Sequence, residues 1–399
     1  MELYKKHISD LGRVVTGKTP RTSIPDNYGG EIPFLTPSDD LSGKYAPKTN
    51  KTITQLGLNE VKNCLLPPKS VCVSCIGSDL GKAVITDEPT ITNQQFNSII
   101  PNEENDVDFI YYLMTAVGKH LNFLSKTSTA VPIINKSTFS DYEIDIPSIS
   151  DQRRIAKVLS SLDDKIEVNR RINDNLEQQA QALFKSWFVD FEPFKDGEFI
   201  ESELGMIPKG WRVGSIYDYI DVVYGAPYKS SLFNDKKEGL PLIRIRDLKT
   251  NAPQFYTPEI LPNTEFVKAG DIVAGMDAEF IPYVWLGEKG VLNQRCCKFR
   301  GKNEAISNYY ILFLIKPELE YVQSYKTGTT VSHLGKSDID RFRFVTPPLD
   351  VVKSFSDLVD GMLKELVNRA NESRRLAELR DTLLPKLMSG ELKVNDIKE

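Results

Sequence analysis

The sequence predicts an α+β chain in which two globular α+β domains of one kind, related by a pseudo-twofold, are separated by a pair of long antiparallel coiled-coil helices. Three observations predict it. The 399 residues repeat themselves at a shift of 200 to 208 positions, each half begins with about 140 residues of short β-like runs, and each half closes on a long stretch with an apolar seam of coiled-coil spacing.

The repeat comes first, because a missed repeat miscalls a whole architecture. A shift of 200 lays Asn93-Gln94 on Asn293-Gln294, Thr129 on Thr329, Val131 on Val331, Lys136-Ser137 on Lys336-Ser337, and Pro147 on Pro347. Nearer the start of each half the shift is 208. There Ile8, Asp10, Val14-Val15 and Gly17 fall on Ile216, Asp218, Val222-Val223 and Gly225, with Pro33 on Pro241 and Asp39 on Asp247. One small deletion reconciles the two shifts.

Residues 70–76, 83–86, 271–275 and 291–299 read as strands set off by Gly, Pro and Asn turns. Pro147 and Pro347 then announce the helices. The first is expected to start at Ser150 as N-cap, with Asp151 in its first turn, and to run without Gly or Pro to about Asp190. Its seam is Ile155, Leu159, Leu162, Ile166, Leu176, Ala180, Leu183 and Trp187, with polar places at Asn169 and Asn173. The second seam is Phe355, Val359, Met362, Leu366, Leu376, Leu383 and Leu387, with Arg369 and Ser373 in the polar places. Neither seam can bury itself alone, so the two pack together. The division expected is a first domain over 1–147, a helical spacer over 148–195, a second domain over 196–347 and a second spacer over 348–399.

Composition bounds the chemistry. A net charge of −5 and a pI near 5.6 point away from a nucleic-acid partner, although a basic face can coexist with acidic helices, or partner subunits can supply phosphate contacts. The longest apolar run, residues 309–315, is far shorter than the ~20 residues of a membrane span, and Met1-Glu-Leu-Tyr-Lys-Lys6 is no signal core. A cytoplasmic protein without a membrane partner is expected. Five cysteines in an irregular set suggest reduced thiols.

Several motifs invite a catalytic reading. Gly12-Arg-Val-Val-Thr-Gly-Lys-Thr19 matches the phosphate-loop pattern, but no buried strand precedes it, Pro20 and Pro25 follow, and Val14-Val15 is β-prone. Cys72-Val-Ser-Cys75 lacks a second ligand pair, and positions three apart in a strand face opposite ways. His7, His120 and His333 belong to no Ser, Cys or Asp constellation. Asp163-Asp-Lys165 and Asp247-Leu-Lys249 resemble nuclease triplets that arise readily by chance. No G-x-G occurs, and the Pro-Pro pairs at 67–68 and 347–348 lack the flanks of an adenine methyltransferase tetrad. No catalytic residue, metal ligand or cofactor is assigned, and an enzyme is not expected.

The segments Ile144-Asp-Ile-Pro147, Gln152-Arg-Arg-Ile155, Leu159-Ser-Ser-Leu-Asp-Asp-Lys-Ile166 and Leu183-Phe-Lys-Ser-Trp-Phe188 resemble the central helix of specificity subunits of Type I restriction-modification systems. Leu379-Arg-Asp-Thr-Leu-Leu-Pro-Lys-Leu-Met-Ser-Gly390 resembles their distal region, and Val14-Val-Thr-Gly-Lys-Thr-Pro20, Ile32-Pro-Phe-Leu-Thr-Pro37, Asn93-Gln-Gln95 and Ser128-Thr-Ala-Val-Pro132 resemble their domains. Gly225-Ala-Pro-Tyr228 departs from the Gly-Lys-Thr-Pro type of turn. The resemblance implies two target-recognition domains, each reading one half of an interrupted, asymmetric site in double-stranded DNA. It also implies two partner methyltransferase subunits using S-adenosylmethionine, and restriction subunits using ATP and Mg2+. About 39 helical residues at ~1.5 Å each make a rod of roughly 58 Å, longer than one DNA turn of ~34 Å, which suits a spacer between two reading domains. The alternative is a coiled-coil scaffold that reads no DNA sequence.

Bases are read by paired donors and acceptors, Asn and Gln suiting adenine and Arg suiting guanine. The candidates in the first domain are Lys18, Thr19, Arg21, Thr36, Ser38, Asn93, Gln94, Gln95, Ser128, Thr129 and Lys136. Those in the second are Lys229, Arg244, Arg246, Asn293, Gln294, Arg295, Thr329, His333 and Lys336.

Overall fold

The computed structural model describes residues 1–77, 80–125, 134–326 and 332–394. Contacts divide the chain into two compact units, Met1–Ile166 with Arg375–Glu399, and Glu167–Arg374. Each unit takes in a stretch of both long helices.

In the first unit, Gly12–Thr16, Phe96–Pro101, Val71–Ser74 and Ala83–Ile85 form an antiparallel sheet in that order. Alternation along Val71–Ser74 sends Val71 and Val73 to one face, against Ile99, Phe109, Ile110 and Tyr112, and Cys72 to the other, against Leu35, Leu66 and Val84. The first face is covered by the helix Val107–Ser125. A second sheet runs Thr52–Ile53, Tyr28–Leu35, Ile91–Thr92, with the last pair parallel. Tyr4–His7 pairs with Glu143–Ile146, tying the two ends of the domain together.

The second unit repeats this plan, with one strand more in its second sheet. Ile220–Tyr224, Cys296–Gly301, Ile272–Gly275 and Pro282–Val284 form one sheet. Phe255–Thr257, Leu240–Ile243, Gly290–Leu292 and Phe266–Val267 form the other, again with one parallel pair. Arg212–Ser215 pairs with Arg343–Thr346, and the helix Asn308–Lys326 takes the place of Val107–Ser125. A hairpin, Phe199–Ser202 with Gly205–Pro208, is particular to this unit among the described residues. The run 291–299, read from the sequence as one strand, is two strands broken by a turn at Asn293-Gln294-Arg295. The pairing registers also correct the single deletion. They lay Thr52 on Tyr256, Val71 on Ile272 and Ile99 on Phe299, so the shift falls in steps spread over several loops.

Many of the repeated residues hold turns. Asp10 and Asp218 accept from the backbone N–H three residues earlier, at His7 and Ser215. Asp39 and Asp247 do the same for Thr36 and Arg244.

The two long helices are Ile149–Phe188 and Leu349–Met388. The N-cap of the first is Ser148, not Ser150. The Ser148 Oγ accepts from the Asp151 N–H at 3.3 Å and donates to its carboxylate at 3.2 Å, an S-x-x-D box that satisfies an orphan donor of the first turn. Buried Gln152 then binds Asn105 and the Pro147 carbonyl, fixing where the helix leaves the domain.

Within the first unit, Ile155 and Leu159 share a core with Leu384 and Leu387. Within the second, Ala180, Phe184 and Phe188 share one with Val352, Phe355, Val359 and Leu366. In the second unit Asn169 faces Ser373, Asn173 faces Leu366 and Phe184 faces Phe355, so numbers rise along one helix as they fall along the other. The segments are antiparallel. Leu162, Ile166, Leu176, Leu183, Trp187, Met362, Leu376 and Leu383 are half-buried. Phe184, Phe188 and Leu384, which a strict 4-3 reading passes over, lie deeper, because these helix ends also pack on a globular domain and so need a wider apolar face. The polar places form a network: fully buried Asn169 donates to Glu372 and Ser373 and accepts from Arg369. No helix among the described residues is long and apolar enough to cross a membrane.

Candidate nucleic-acid interface

Both units place the same turn at the same point of the fold. In Asn93-Gln94-Gln95 and Asn293-Gln294-Arg295, the asparagine Oδ1 accepts from the N–H two residues on, at 3.0 and 3.1 Å. These asparagines are turn formers. A glycine just past the strand Gly12–Thr16, or past Ile220–Tyr224, presses on each turn. A Cβ on Gly17 would lie 2.1 Å from the Asn93 carbonyl oxygen, and one on Gly225 would lie 2.1 Å from that of Asn293, which leaves room for no other residue at either place. The close approach sets the following segment beside the turn, and Thr19 Oγ1 donates to Gln94 Oε1 at 2.6 Å. Gln94 and Gln294 stand exposed at the two tips.

The other candidates divide by what already holds them. Arg21 is committed to Glu60 at 2.7 Å, and the hydrogen bonds from Arg21 hold the Glu60 carboxyl down to about 2. Thr36 and Ser38 share hydroxyl contacts in the turn closed by Asp39. Arg244 stacks 4.5 Å from the centre of the Phe255 ring and reaches Asp247 and Gln254. Gln95 accepts from Asn93 Nδ2 at 2.8 Å. Lys18, Lys136, Lys229, Arg246 and Lys336 are exposed. Arg295 and His333 meet at Asp277, a residue that no local motif marks. Ser128, Thr129 and Thr329 lie outside the described residues.

The structure absorbs the rival motifs. Gly12–Thr16 is a strand paired with residues 97–101, and no helix opens at Lys18-Thr19. Asp163 of the first triplet binds Tyr112 and Arg380, and Asp247 of the second closes a turn. Among the described residues, no three His, Cys, Asp or Glu side chains are grouped to hold a metal ion. Cys72 and Cys75 sit in different cores, and burial pushes the Cys72 and Cys297 thiols up to about 12. In the folded chain at pH 8, half-buried Cys64 is therefore expected to alkylate first, with Cys72 and Cys297 more than about a hundredfold slower. Mass spectrometry of partially alkylated protein checks this, and equal rates for Cys64 and Cys72 would refute the packing described.

Similarity to known proteins follows the same outline. The sequence profile of a family described as the Type I restriction modification DNA specificity domain matches residues 2–178 and again residues 208–372. The Type I restriction enzyme MjaIX specificity subunit of Methanocaldococcus jannaschii is 31% identical over 423 aligned positions, covering 98% of this chain and 94% of that protein. The HindI specificity subunit of Haemophilus influenzae is 38% identical over 145 positions, 36% of this chain and 31% of its own. The crystal structure of a Type I restriction-modification S subunit from M. genitalium shares the fold, with a TM-score of 0.52 at 15% identity and coverage of 97% of this chain and 96% of that one.

Proposed function

The chain belongs to the family of Type I restriction-modification DNA specificity subunits, whose work is DNA sequence recognition, and we propose that each of its two units reads one half of an interrupted, asymmetric DNA site. The observation that carries this reading is the doubled frame: one strand order, one glycine-on-asparagine crossing and one exposed glutamine tip in each unit, with different side chains around the tips. Contacts to phosphate position a protein and contacts to base edges specify. In this reading Lys18, Lys136, Lys229, Arg246 and Lys336 serve the backbone, while the tips at 94–95 and 294–295 serve the bases. The long helices set the separation of the half-sites. The chain transfers no methyl group itself: two methyltransferase subunits using S-adenosylmethionine, and restriction subunits using ATP and Mg2+, act where it directs them, in the cytoplasm.

The test is to map methylated adenines in DNA from cells carrying this chain with its partner methyltransferase. A two-part motif with a fixed gap is expected. Gln94→Ala is expected to relax bases in one half only and Gln294→Ala in the other, by ~1 to 3 kcal/mol per lost bidentate contact. A contiguous motif, or a change in both halves from either substitution, would defeat the proposal.

A further inference from the structure

We propose that residue 295 is a specificity-determining position of the second unit, that its guanidinium reads a guanine, and that Asp277 is the residue that positions it. This rests on the reading that each unit recognises its own half-site. Three segments converge at the place. The Met276 N–H donates to the Arg295 carbonyl at 2.8 Å, the Ala278 N–H to Ser332 at 2.9 Å, and the Leu334 N–H to Met276 at 2.7 Å. Ala278 is held at a φ of 62°, a left-handed conformation that costs a non-glycine residue energy and that the surrounding contacts enforce. Asp277 lies between them and forks. One carboxylate oxygen takes Arg295 Nη1 at 3.0 Å and the other takes His333 Nδ1 at 2.6 Å.

Exposure falls in the order this role needs. The side chain of Asp277 is 21% exposed, those of Arg295 and His333 58% and 52%, so the anion lies beneath and the two heads stand outward. With Nη1 on Asp277, the guanidinium keeps its Nε–Nη2 edge, two parallel donors that match guanine O6 and N7. A neutral His333 that donates Nδ1–H to Asp277 keeps Nε2 as an acceptor for a neighbouring base.

The first unit supplies the control. Two of the three backbone bonds recur there, from the Cys75 N–H to the Gln95 carbonyl at 2.8 Å and from the Ile134 N–H to Cys75 at 3.0 Å. That equivalence puts Ile76 where the second unit has Asp277 and Gln95 where it has Arg295. Ile76 can hold no cation, and the Gln95 amide is held by Asn93 instead, a group suited to adenine. One frame thus presents two different reading groups, as an asymmetric site requires.

The experiment maps methylated adenines made by the whole complex carrying R295Q, D277N, D277E or the D277N/R295Q pair. R295Q is expected to cut discrimination for one guanine of one half-site by about tenfold to a hundredfold and to leave the other half as it was, which also reports that the variant folds and assembles. D277N should relax the same base pair, the double variant should go no further than R295Q, and D277E should retain the guanine. A merely structural Asp277 would lower methylation at every site without changing any base. A wild-type motif lacking two parts defeats the half-site reading itself. A two-part motif defeats this inference alone if R295Q leaves it unchanged, alters both halves, abolishes methylation everywhere, or affects a position that is no G·C pair.

Discussion

Replacing Arg380 by methionine is expected to destabilise the chain by about 3 kcal/mol, because it strands a carboxylate the fold has buried. Asp163 is almost fully enclosed where the first long helix meets the helix Val107–Ser125. One of its oxygens takes Arg380 Nη1 at 2.5 Å and the other takes the Tyr112 hydroxyl at 2.5 Å. Burial, and after it the Asp163 charge, raises the Tyr112 pKa, so the phenol stays a donor and cannot itself supply the missing positive charge. Chemical denaturation of the purified chain measures the effect. Asp163→Asn removes the stranded charge, so the Arg380→Met, Asp163→Asn double variant should lose clearly less than the sum of the two singles. Additive losses, or an Arg380→Met cost below about 1 kcal/mol, would mean that the pair contributes little to the unit.

Phe355→Ala is expected to cost about 3 to 5 kcal/mol, at the upper end for a core truncation. Phe355 is fully buried at the start of the second long helix. Its ring meets those of Phe188 at 5.0 Å, Trp187 at 5.9 Å, Phe184 at 6.0 Å and Tyr310 at 6.2 Å, all in edge-on contacts. The cavity opened would border both long helices and the helix Asn308–Lys326, which cannot all collapse into it. Phe355→Leu, which keeps most of the volume, should cost far less. A loss for Phe355→Ala no greater than that for Phe355→Leu would show that this junction repacks freely.

How much could be read in advance follows from the range of each signal. The repeat, the two β-rich halves and the two heptad seams are periodicities along the chain, and periodicity is what a linear sequence records. The cap slipped by two residues, from Ser150 to Ser148, because Ser148-x-x-Asp151 and Ser150 stand side by side and only the first helical hydrogen bond, from the Gln152 N–H to the Ser148 carbonyl, separates them. The run 291–299 reads as continuous because the turn inside it is made by one side chain, Asn293, bonding two residues ahead.

The two-domain α+β plan, the paired helices and the resemblance to DNA specificity subunits are all legible along the chain. Which of its polar residues stand available to a ligand depends on the folded chain. Arg21 is taken by Glu60, and Asn93 and Asn293 by their own turns, whereas Arg295 is held through Nη1 alone by Asp277, a residue with no local signature, and still stands outward. A side chain's partner is chosen by closeness in space. Thr19 meets Gln94, Arg295 and His333 meet at Asp277, and Asp163 meets Arg380, each across a stretch of chain that no short-range pattern spans.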